Sequence, residues 1–145
     1  MTSVQYLIET LDLTPHPEGG FFKRVYQSEQ TASIGPSNST RHLLTCIYYL
    51  LTDESSIGHL HVNRSDIIHF YHGGAPIIYT LVSPTGELRQ ETLGANLNEG
   101  QLLQLLVPGG WWKASQLNSG EYGLVSEAVS PGFDPEDMLF INCSK

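Results

Sequence analysis

Residues 56–74 read SIGHLHVNRSDIIHFYHGG and hold four of the chain's six histidines. In an extended strand side chains alternate between faces, so His59 and His61 are expected on one face. The tetrad Asn63-Arg64-Ser65-Asp66 then reads as a turn, and Asp66 is expected to open the returning strand opposite His61. Two imidazoles and a carboxylate on adjacent strands can hold a transition metal. A polar strand face with a turn aspartate fits the same letters. On the returning strand His69 and Tyr71 share a face, and His72 points the other way.

Outward from this stretch the chain is mostly strands and turns. Ser3 is expected to cap an N-terminal helix whose Val4, Leu7, Ile8 and Leu11 fall on one side. The run TPHPEGG stops it with two prolines and two glycines. Apolar or alternating runs follow: FFKRVYQ, TCIYYLL, GHLHV, DIIHFYH, PIIYTLV, ELRQETL, LLQLLVP and YGLVSEAV. Turn residues separate them every 8 to 12 residues or so, the rhythm of an all-β sandwich or barrel. DPEDMLF is expected to add a helical turn near the end. No repeat or linker interrupts residues 1–145, so one domain is expected.

Composition narrows the function. The net charge of -8, with seven scattered basic residues, argues against nucleic acid, which needs clustered cations. No apolar run approaches the roughly 20 residues of a membrane span. The start MTSVQYLIETLDL lacks a basic leader, and Cys46 and Cys143 form no close pair; a cytoplasmic location is expected. A small-molecule ligand is the expected partner.

The spacing His59-x-His61, four residues, Asp66, six residues, Gly73 resembles the first cupin motif, with Asp66 in place of the usual glutamate and Asp53 in place of its leading glycine. PGGWWK resembles the second, with Lys113 at the histidine position. The blocks HPEGGFFKRVYQS, IYYLLT, DIIHFYHGG, VPGGWWKAS and SEAVSPGFDPEDM together resemble the Cupin_5 (DUF985) family from about Leu13 to Phe140. The resemblance implies a double-stranded β-helix, the cupin jelly-roll barrel, after a short N-terminal helix, usually paired as a homodimer. It assigns no activity, because a fold hosts many.

The polar residues expected to converge in such a barrel are Glu18, Arg24, His61, Asp66, His69, Tyr71 and Lys113. His61 and Tyr71 are the candidate catalytic base and acid. Glu18, Arg24, Asp66, His69 and Lys113 are candidate ligand-binding groups; Arg24, between Phe22 and Tyr26, suits a carboxylate or phosphate, or pairs with Glu127. Tyr48, Tyr49 and Tyr79 are expected to pack with bonded hydroxyls, and Cys143 to lie in a loose tail. A metal is not expected, but His59, His61 and Asp66 are its ligands if one binds. Against it stands Lys113: at about 5 Å and an effective dielectric near 20, an ammonium and a divalent ion repel by roughly 6–7 kcal/mol. Three readings follow. The first is a small-molecule-binding cupin with a pocket for an anionic or sugar-like ligand, extending to a metal-independent epimerase or isomerase. The second is a metal-dependent oxygenase or isomerase. The third is a non-catalytic metabolite-binding dimer.

Overall fold

The computed structural model describes residues 2–35 and 38–140; Cys143 lies outside them. Helix α1 spans Ser3–Thr10. Its cap is Thr2 rather than Ser3: the Thr2 hydroxyl accepts from Gln5 N, and the Gln5 side chain accepts from Thr2 N at 3.0 Å. That reciprocal pair satisfies two otherwise orphaned amides. No α1 residue is fully buried, so the helix lies against the barrel rather than within its core.

Among the described residues thirteen strands follow: β1 (Thr14–Pro15), β2 (Phe21–Gln27), β3 (Thr31–Ile34), β4 (Ser39–His42), β5 (Thr45–Thr52), β6 (Ile57–Asn63), β7 (Asp66–Gly74), β8 (Ile77–Val82), β9 (Leu88–Leu93), β10 (Gln104–Val107), β11 (Trp112–Leu117), β12 (Tyr122–Ser130) and β13 (Met138–Phe140). One sheet has the order β1-β2-β5-β12-β7-β10 and the other β13-β6-β11-β8-β9; β3 and β4 form a hairpin. All these named strands pair antiparallel. The two sheets face each other as a jelly roll, as expected. The expected helical turn is a single 3-10 turn at Pro135–Asp137. Among the described residues no helix is long and apolar enough to cross a membrane.

The core lies between the sheets. Tyr49, Leu51, Val125, Leu105 and Val107 come from one sheet, and Ile77, Tyr79, Leu81, Leu93 and Leu117 from the other. Alternation explains the selection: β8 buries Ile77, Tyr79 and Leu81 and turns Ile78, Thr80 and Val82 outward. Trp111 packs against this core, and the Arg89 guanidinium stacks 5.0 Å over its ring.

Of three register shifts among the described strands, those in β6 and β2 alter the expected phase. Lys113 pairs with His61 but Ser115 pairs with Gly58, so β6 carries one extra residue against β11. Gly58 and His61 consequently face the interior, while His59 is exposed. A Cβ on Gly58 would sit 2.3 Å from Ser115 Oγ and 2.9 Å from the Tyr49 hydroxyl. In β2 the register shifts between Arg24 and Tyr26, so Tyr26 leaves the face that Phe22 and Arg24 share.

A buried arginine fixes the last strand. Arg41 on β4 grips Asp137 through Nε and Nη2, both at 2.9 Å, and reaches Glu136 at 3.2 Å. The bidentate grip holds the Asp137 carboxyl below the usual range. It anchors the 3-10 turn that feeds β13, and Phe140 there pairs with His61 on β6.

Candidate functional site

The barrel interior carries two cross-strand polar pairs, one on each sheet. Glu127 on β12 sits opposite His69 on β7. His61 on β6 sits opposite Lys113 on β11. All four are buried, and the two pairs meet across the barrel: Lys113 Nζ lies 2.8 Å from His69 Nε2 and 3.7 Å from Glu127 Oε1. A third group enters from the turn between β1 and β2, where Glu18 Oε2 meets His61 Nε2 at 3.0 Å. The turn comes close because Gly19, at φ +105, leaves no room for a side chain; a Cβ would stand 2.0 Å from Ile57 O.

Hydrogen-bond roles fix most of the protons. His69 Nδ1–H donates to Leu105 O at 3.2 Å, so Nε2 presents its lone pair to Lys113. Burial, and then the positive charge of Lys113, hold the His69 ring well below the ordinary histidine value, so it is neutral at pH 7. Both ring nitrogens of His61 face acceptors, His59 O at 2.8 Å and Glu18, an arrangement that an imidazolium satisfies completely. Burial alone would raise the Glu18 carboxyl, but the hydrogen bond and charge of His61, with Lys113 and His16 behind, overcome it and hold the group below the usual carboxylate range. Glu127 ends the other way. Burial raises it, and the opposing pull of Lys113 only partly offsets that rise.

Two tyrosines complete the cluster. The Tyr49 hydroxyl donates to Gly19 O at 2.6 Å and braces the Glu18 turn. The Tyr79 hydroxyl is fully buried and has no hydrogen-bond partner among the described residues, contrary to the bonded hydroxyl expected from sequence. Its ring stands edge-on to His69, centroids 5.1 Å apart. An unpaired buried hydroxyl is costly, and a ligand atom that bonds it removes the cost.

The structure therefore brings together Glu18, His61, His69 and Lys113. It leaves three expected residues outside the cluster. Asp66 does not oppose His61: β6 and β7 belong to different sheets, Asp66 pairs with Ser130, and its carboxylate accepts from Gly109 N at 2.8 Å. Arg24 is exposed and bonded to Gln27, not to Glu127. The Tyr71 hydroxyl donates to Gly74 O at the end of its own strand. Sequence reading gives Glu127 only as a possible partner of Arg24, and Tyr79 and Tyr49 only as core, so none of the three is expected in the cluster. The signal for Glu127 is present in YGLVSEAV, where an acid takes an inward position between Val125 and Val129.

A metal does not fit the donors present. His59 is exposed, separated from His61 by the bulge, and Asp66 caps a turn. The lone pair of His69 already faces an ammonium, and His61 Nε2 is bound to Glu18. Among the described residues no group of three His, Cys, Asp or Glu side chains could hold a metal ion.

An all-β jelly roll with inward polar residues on both sheets is the architecture of the cupins. This chain belongs to the Cupin_5 family, described as Cupin superfamily (DUF985), which matches residues 5–141. An uncharacterised protein of Saccharomyces cerevisiae is 40% identical over 153 residues, covering 97% of this chain and 76% of the yeast protein. Two solved structures are similar throughout. A hypothetical protein from Leishmania major has a TM-score of 0.89 at 34% identity, over 95% of this chain and 86% of that one. A Shewanella oneidensis protein has 0.87 at 34%, over 98% and 86%. Bacillus subtilis oxalate decarboxylase has a TM-score of 0.62 at 16% identity, over 88% of this chain and 29% of its own, a likeness of fold alone.

Proposed function

We propose that the barrel interior binds a small anionic or sugar-like molecule without a metal and moves a proton on it, as an isomerase or epimerase does. The observation that carries this reading is Lys113, whose ammonium meets the His69 lone pair at 2.8 Å, where a metal-binding barrel would leave that lone pair for the ion. In this reading Lys113 supplies the positive charge for a carboxylate or phosphate, and the unpaired Tyr79 hydroxyl supplies a donor. His61 carries the mobile proton, with Glu18 orienting its ring and balancing its charge. Tyr79 takes the proton-donor part first considered for Tyr71, whose hydroxyl is engaged at Gly74.

A homodimer belongs to the same proposal. Tyr26, Ile68 and Leu106, on the outward face of the larger sheet, are exposed and apolar, and a second copy would cover them. So does a cytoplasmic location, in keeping with the free Cys46 thiol.

The test is calorimetric titration of chelator-treated protein with inorganic phosphate, malonate and UDP-glucose. Saturable binding of at least one probe is expected, weakened tenfold or more in Lys113→Met and in His61→Ala. Binding that disappears on chelation and returns with a divalent ion would contradict the proposal. Binding without turnover of any probe would favour the non-catalytic metabolite-binding reading.

A further inference from the structure

The interior cluster contains an arrangement that charge balance alone does not explain. Lys113 is one of three lysines in the chain, with Lys23 and Lys145. Lys23 is on the surface, paired with Asp12. Lys113 projects inward from β11 between a neutral imidazole and a carboxylate, and that imidazole is met edge-on by the Tyr79 ring. A nucleophile within hydrogen-bond reach of a base, the base in turn held by a third group, is the usual geometry of covalent catalysis. Here the amine is Lys113, the imidazole beside it is His69, and Leu105 O fixes that ring. Glu127 Oε1 lies 3.7 Å from Nζ, an ion-pair distance that a single bridging water spans for proton transfer.

Resting on the proposed pocket reading, we infer that Lys113 is a Schiff-base lysine and that the ligand is a small carbonyl compound, an aldehyde, ketone or 2-oxo acid. A buried ammonium–carboxylate pair is expensive to keep charged in a low-dielectric site. Proton transfer from Lys113 Nζ to Glu127 Oε1 leaves two neutral groups and a free amine lone pair. Burial already pushes the Glu127 carboxyl toward its protonated form. The amine attacks the carbonyl carbon; the C–N bond forms as the carbonyl π bond opens to oxygen, and a proton passes from nitrogen to that oxygen. Glu127 then returns its proton to the carbinolamine hydroxyl, which leaves as water while the nitrogen lone pair closes the C=N bond. Ammonium plus carbonyl gives iminium plus water, with Glu127 restored. No oxidant or other co-reactant is required. The iminium withdraws electrons from the neighbouring carbon, which is the condition for the proton movement assigned to His61.

The test is reductive trapping. The full-length protein is incubated with pyruvate or glycolaldehyde and cyanoborohydride, digested, and mapped by mass spectrometry. Random labelling follows exposure and marks Lys23, whose side chain is 43% exposed, before Lys113 at 5%. The inference expects the reverse: Lys113 labelled first and at least tenfold faster. Lys113→Arg, which keeps a cation but no nucleophilic amine, is expected to lose the adduct at this position. Glu127→Gln is expected to slow labelling about tenfold. Phosphate binding without labelling at Lys113 would overturn the Schiff-base assignment and leave the anion pocket standing. Labelling at Lys113 without binding of any anion would overturn the pocket's anion preference instead. Neither binding nor labelling would overturn both, and a wild-type labelling rate in Glu127→Gln would remove Glu127 from the proton transfer.

Discussion

His69 couples the folded barrel to pH. Its ring stays neutral well below the ordinary value of 6.5, because burial and Lys113 both disfavour the imidazolium. A depressed histidine gives stability that is complete above the unfolded value and is lost as pH falls toward the folded one. Below 6.5 the unfolded chain takes up a proton that folded His69 refuses, at a slope of up to about 1.4 kcal/mol per pH unit. Glu127 acts in the opposite sense, since a raised carboxyl adds stability as pH falls. Comparison with a His69→Gln variant isolates the histidine. Denaturant midpoints between pH 7.5 and 5 are expected to fall more steeply for the wild type than for the variant; parallel slopes would contradict the assignment. Residues of this kind were partly legible in the sequence. His61 and His69 follow from residue type and alternation, whereas Glu18 and Lys113 follow from the family resemblance. Glu127 and Tyr79 were not legible, since each sits on a strand whose other inward positions are apolar and reads as core. Asp66 was misplaced because a turn that joins two strands looks the same whether they pair or pass to opposite sheets.

At the scale of the element, the β6 bulge decides which histidine is inside. A period-two reading assigns His59 and His61 to one face, and one extra residue separates them. Nothing in the letters GHLHV marks that insertion, except that Gly58 is the residue able to approach Ser115 and Tyr49. The expected outcome is a sharp asymmetry. His59→Ala, at an exposed site, is expected to change stability by no more than about 0.5 kcal/mol and to leave ligand binding intact. His61→Ala leaves the buried Glu18 carboxylate without its partner, a change that typically costs about 3–5 kcal/mol. Thermal or chemical unfolding of the two variants reads the difference, and equal effects would contradict the bulged register. The N-terminal helix was legible to within a residue of its cap. The β3–β4 hairpin was not, because TASI alternates over only four residues and STRH holds no apolar residue.

At the scale of the molecule, the strand rhythm and the five sequence blocks sufficed for the jelly roll, because an all-β chain of this length closes on itself to shelter its strand edges. The proposed dimer is expected to give twice the 16.0 kDa chain mass in light scattering at micromolar concentration, and a mass of 16.0 kDa would remove it. The central claim is that Lys113 holds the place in the barrel where a metal would be bound. Elemental analysis of protein purified without a histidine tag and without added metal tests it most directly. The account predicts far less than one zinc, iron, manganese or nickel ion per chain. Near-stoichiometric metal, released together with ligand binding on chelation, would contradict it.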